Sequence, residues 1–230
     1  MPAPQNIFHK RPGRNDWLII LSNLIPVFGA LFLGWNAAEV FTVYAMETMI
    51  AGIFTILKLL IATFSRGSDD WYNGKSRQKM NGLFFIFFFI LHFGIFAAVQ
   101  TAVFSSVSGI APPGKGVFHF FFHWWEYING DIAWMLAGFV VSYLLRDLIP
   151  FIQNKEYNSL PMIIIMFQPY GRVVIQQFTV ILGSMFLTFG LGAGFILVFA
   201  LAKIFVEVFL SFDEILKKTA ASLKKRSGEE

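Results

Sequence analysis

A glutamate, a histidine, a glutamine and a lysine each stand deep inside an otherwise apolar stretch of this chain: Glu47, His92, Gln177 and Lys203. Carboxylates and imidazoles in such surroundings relay protons or ligate metals, and at hydrocarbon depth they are costly unless they face partners or a cavity. At about 1.5 Å of rise per helical residue, all four fall near one level, so four helices turning these faces inward would build a polar centre. Glu207 follows Lys203 by four residues and can pair with it on one helical face, with Arg172 as a competing partner. The plain alternative is that these groups pair with one another and fix helix register, each contact contributing about 0.6 kcal/mol. Lys203–Glu207 can satisfy itself without a ligand; for Glu47 and His92 both readings stay open. Lys58, near the end of its apolar stretch, is expected to snorkel to the interface.

A second group has different chemistry. His119 and His123 stand four residues apart with Glu126 three further on, a spacing that resembles a two-histidine, one-carboxylate metal face. The neighbouring Phe and Trp residues offer a simpler account, an aromatic belt at the membrane surface carrying two interfacial histidines. The chain has no cysteine, which excludes disulfides, thiolate metal sites, iron–sulfur clusters and a thiol nucleophile. It has no phosphate-binding loop, nucleophile elbow or HExxH zinc motif. Gly29, Gly34, Gly52, Gly94 and Gly183 read as close helix packing.

The elements that must position these residues are membrane spans. Hydrophobic residues make up 56% of the chain and charged ones 14%, against about 25% charged in a soluble domain. Gly82 to Val107 carries no formal charge at neutral pH and is longer than the roughly 20 residues that cross a bilayer. Five further apolar stretches run over 17–35, 38–64, 132–149, 173–190 and 193–212, with Pro26 and Gly29 kinking the first. The expectation is an all-α, polytopic membrane protein: a bundle of six transmembrane helices over 17–212, a basic N-terminus over 1–16 and a basic tail over 213–230. Between the spans, 65–79 reads as a polar, flexible loop, 118–127 as an interfacial segment, and 160–169 as an apolar patch along the membrane surface. The loops and termini on one side carry fifteen Lys and Arg and the loops on the other Lys115 alone, which places both termini in the cytoplasm and the protein in the inner (plasma) membrane.

Four stretches carry a family resemblance: LSNLIPVFGALFLGW, YAMET around Glu47, HFGIFAAVQ, and MFQPYGRVVIQQFTVILG. Together, over about residues 20–212, they resemble a prokaryotic membrane family catalogued only as a domain of unknown function. Its pattern has a Tyr-Trp-x-Glu, an HYGxFxxxH, a PYGRxxxxH and a late Lys-x-x-x-Asp-x-x-x-His. Glu47, His92, Arg172 and Lys203 match it; Ala45, Gln100, Gln177, Glu207 and Ser211 stand where it has Trp, His, His, Asp and His. The resemblance implies a metal or haem site, or a proton path, built from His and carboxylates on facing helices. Gln100, Gln177 and Ser211 weaken the metal and haem versions, since glutamine hydrogen-bonds well but ligates transition metals poorly.

Three functions follow as expectations. The first is handling of an ion, proton or small solute through a polar intramembrane centre of Glu47, His92, Gln100, Arg172, Gln177, Lys203 and Glu207. The second is a structural or accessory membrane subunit whose polar core is internally paired. The third is a metal-dependent membrane enzyme at His119, His123 and Glu126, though nothing in the motifs argues for an enzyme. The partners are the lipid bilayer, anionic lipid at the C-terminal tail, and a homo-oligomer or membrane complex, with no nucleic acid; the basic residues fall between spans and report topology instead.

Overall fold

The computed structural model describes residues 16–35, 37–73, 76–108, 110, 112–191, 196–197, 200–201, 204–205 and 218. Helix α1 (Asp16–Phe32) leads into α2 (Ala37–Arg66), which packs against more of the molecule than any other element. A two-stranded hairpin, β1 (Ser68–Asn73) and β2 (Ser76–Asn81), turns the chain back into α3 (Gly82–Ser108). After a loop come the short α4 (His119–Phe122) and a 3-10 turn over Trp124–Tyr127. Helix α5 (Gly130–Tyr143) continues through a π-helical turn, Leu144–Leu148, into α6 (Ile149–Gln153). The one-turn α7 (Glu156–Ser159) precedes α8 (Met162–Thr188).

Thr42–Arg66, Gly82–Ser106 and Gly130–Gln153 are long and apolar enough to cross a membrane. Helix α3 is apolar on every face, and Leu83, Phe87, Leu91, Ile95 and Val99 stand exposed along it. Such a flank suits lipid and not water. The six-span expectation reaches beyond the described residues: 1–15 and most of 192–230 lie outside them, including Lys203, Glu207 and Ser211. Ile196 and Ala200, from the sixth apolar stretch, are fully buried beside Val43, Tyr44 and Phe139.

Helices α2 and α3 are antiparallel, and three contacts fix their register. Thr48 bonds Gln100, Gly52 faces Phe93, and Gly82 faces Thr63. A methyl group on Gly82 would come within 2.3 Å of the Thr63 hydroxyl, so the start of α3 lies directly on α2. At the opposite end, Asn129 caps α5 by accepting from the Ile132 N–H and donates to Glu39 at the start of α2.

Two expectations about the connections are corrected. Residues 65–79 are not simply a polar, flexible loop, because they lead into a β-hairpin with Asp70 opposite Lys79 and Trp71 opposite Gln78. Its anchor is Trp71, whose ring meets Phe84 and Phe88 edge-on at 5.2 Å each. Arg66 and Asp69 lock the base: Arg66 donates to the Leu160 carbonyl, and Asp69 accepts from the Met162 N–H at 2.7 Å, capping α8. The apolar patch 160–169 is not on the surface either. It forms the first turns of α8, with Met162, Ile164, Ile165 and Met166 buried against Leu59, Phe85 and Phe89. Pro169 lies inside that helix and costs it one backbone bond, which a neighbouring span can offset.

Candidate functional site

Away from the hairpin base, polar side chains gather in four places among the described residues. In the first, Glu47 is 2% exposed on α2, with Thr42 and Thr48 buried beside it. Facing them are Gln100, Thr101 and Ser105 on α3 and Ser22 and Asn23 on α1, all buried. Thr48 donates to Gln100 Oε1 at 3.1 Å, and Tyr44 to the Asn23 carbonyl at 3.3 Å. Thr101 bonds back to its own helix. Gln100 Nε2 and Ser105 Oγ are shielded from solvent with no hydrogen-bond partner among the described residues. An unmade bond at such depth costs about 1–3 kcal/mol, so these two atoms mark where the layer can accept a further polar group.

His92 does not join this layer. The Thr48–Gln100 bond sets Glu47 level with Gln100, eight residues along α3 from His92, or about 12 Å of helix axis. The buried face of α3 runs through Phe89, Phe93, Ala97, Gln100 and Phe104. His92 lies about 100° around the helix from Phe93 and is exposed. Its Nδ1 shares a 2.6 Å hydrogen bond with Tyr170 of α8, and its ring stacks on Phe88. Arg172 and Gln177 belong to α8, but their side chains lie outside the described residues.

The third place was not visible in the sequence. Lys58 does not snorkel: it is 2% exposed and donates to Asp147 and Gln168 at 2.8 Å each. Asp147 comes from the π-helical turn after α5 and Gln168 from α8, so one ammonium ties three elements together. The Phe151 ring covers it at 5.8 Å. Two residues from other helices thus join Lys58 in a cluster that spacing alone does not announce.

The fourth place is the interfacial segment. His119 and His123 stack at 4.3 Å with ring planes 9° apart, and Glu126 Oε2 lies 3.7 Å from His119 Nε2. His119 Nδ1 and the Tyr127 hydroxyl share a 3.0 Å hydrogen bond. Burial, and then the neighbouring Glu126 carboxylate, raise the Tyr127 hydroxyl above the ordinary tyrosine value, keeping it protonated. The back of this segment is apolar. Phe121 and Trp124 close an apolar crevice of about 230 Å³ between α2 and α3, lined also by Gly52, Phe93 and Gly94.

A match to the family of unknown function DUF6498 runs over residues 8–227, nearly the whole chain. This chain belongs to that family. No curated protein and no solved structure matches it. The resemblance to a family of unknown function drawn from its motifs therefore holds. In this DUF6498 chain, of the residues singled out by sequence, Glu47 and Gln100 come together at one level, as do His119, His123 and Glu126. His92 stands apart with Tyr170. Thr48, a hydroxyl in an apolar run four residues from Tyr44, is the available signal for the Glu47 layer. Chemically the layer offers one carboxylate, several hydroxyls and an amide, a set that holds protons, water or hard cations and has no soft ligand.

Proposed function

We propose that this protein is a multi-pass protein of the inner membrane, with both termini in the cytoplasm, that handles a proton or small cation at the layer centred on Glu47. One observation carries the reading: a carboxylate is buried at 2% exposure among hydroxyl and amide groups from three helices, within a chain built of membrane-length apolar helices. Ionisable groups at that depth are rare and mark ion or proton pathways by default. Glu47 has a partner within the fold, so uptake of a proton or cation there would exchange that partner. Gln100 Nε2 and Ser105 Oγ supply donors that an incoming water can satisfy.

The test is reconstitution into vesicles loaded with a pH-sensitive dye under an imposed proton gradient and, separately, with a sodium-sensitive dye under a sodium gradient. The wild-type protein is expected to dissipate one of them faster than empty vesicles, and E47Q, checked as monodisperse, to fall to the empty-vesicle rate. Equal rates for empty, wild-type and E47Q vesicles overturn the reading. They would favour an accessory subunit with an internally paired core, an alternative that Lys58 supports because its charge is met by Asp147 and Gln168 with no ligand.

A further inference from the structure

We propose that His119, His123 and Glu126 form a binding site for a divalent transition metal of the zinc class, at the end of the bundle away from the β-hairpin. One ring nitrogen from each histidine and one Glu126 oxygen all lie within 4.8 Å of one another, the spread of atoms around a single ion. The fold produces this in a way that chance spacing does not. Helix α4 turns both imidazoles to the same side and stacks them, and the 3-10 turn that follows swings Glu126 back over His119.

Two further features point to a ligand. Metal-binding histidines use one ring nitrogen for the metal and give the other N–H to a fixed acceptor. His119 has that arrangement: in the tautomer whose Nδ1–H donates to Tyr127, its Nε2 lone pair is the atom facing Glu126. Tyr127 is itself held by Phe120, which is fully buried against Phe104, so the acceptor is fixed by packing. His123 Nδ1 is shielded from solvent and has no hydrogen-bond partner among the described residues. Imidazole and carboxylate without thiolate suit zinc and its first-row neighbours. Three protein ligands leave a coordination position open, as in sites where the metal binds a water or substrate. Glu126 is 51% exposed, so the cluster can be reached from outside the fold.

The site is separate from the Glu47 layer and stands or falls without it. Untagged full-length protein in detergent, stripped with a chelator, is titrated with Co²⁺ and followed by visible d–d absorption, then competed with Zn²⁺. One equivalent of Co²⁺ is expected, displaced by Zn²⁺, with the band lost in H123A. E126A removes an exposed ligand without touching the packed face, and is expected to weaken Co²⁺ binding by at least about tenfold. Y127F tests positioning of His119 and is expected to cost about tenfold, the usual effect of losing an outer partner. No d–d band in the wild type, or undiminished Co²⁺ affinity in E126A and H123A, overturns the proposal.

Discussion

Lys58 shows what a single side chain does in this bundle. Its ammonium is withdrawn from solvent and bonded at 2.8 Å to both Asp147 and Gln168. Removing the Lys58 ammonium takes away both of its bonds and the cation facing Asp147, a loss of about 3 kcal/mol, the low end for a buried pair because Asp147 is partly exposed. K58M should therefore lower the melting temperature in detergent by about 10 °C, at about 2–4 °C per kcal/mol for a chain of this size. Adding D147L should recover most of the loss, because both charges are then gone. A K58M protein that melts with the wild type would show the pair to be structurally idle. The residue scale is also where sequence reading divides most sharply. Glu47 could be recognised because a carboxylate in an apolar run is expensive wherever it faces. His92 could not be placed, because one residue along a helix rotates a side chain by about 100° and here turns it from the interior to Tyr170.

Among the elements, α2 and α3 are fitted through glycines, and the fit differs from one to the next. A Cβ at Gly82 would meet the Oγ1, Cγ2 and Cβ atoms of Thr63 at 2.3, 2.6 and 2.7 Å. Rotating Thr63 relieves only part of that, since its Cβ is fixed to the backbone. G82A should lose about 1–3 kcal/mol through forced overpacking. G94A has open space within 4 Å and should lose none, since alanine is the better helix former. Thermal melts of the two variants side by side check this, and equal melting would show that α3 can slide from α2 at its start. Spans were legible here because bilayer thickness fixes their length. The hairpin was read as a loop because its strands are polar; the Asn73–Gly74 dipeptide was the signal for it. Helix α8 joins a patch and an apolar stretch that the sequence separates at Pro169, a residue that ends helices in water but is tolerated where adjacent spans supply the missing bonds.

Taken whole, the chain runs back and forth between two ends. The hairpin, α7 and the start of α8 meet at one end; the α1–α2 turn, α4 and the start of α5 meet at the other. Among the described residues Arg66, Arg77, Lys79 and Lys155 stand at the hairpin end and Lys115 at the opposite one. That division is what membrane insertion reads as inside and outside. A reporter fused after Glu230 should be cytoplasmic, and one inserted near Gly114 external; reversed labels would turn the molecule over and move the histidine cluster to the cytoplasm. The membrane-length helices were readable from apolar length alone. The contacts that close the bundle were not, because they join residues far apart, as Asp69 joins Met162 across 93 positions.

The Lys58 cluster also sets an order on biosynthesis. Asp147 is translated 89 residues after Lys58 and Gln168 110 residues after it. When α2 leaves the ribosome and enters the bilayer, neither counter-group exists. The nascent ammonium can only reach towards the aqueous boundary, eight residues away at Arg66 where the helix ends. Its withdrawal into the bundle waits for α5 and α8, so later-made elements complete a site begun by one of the first.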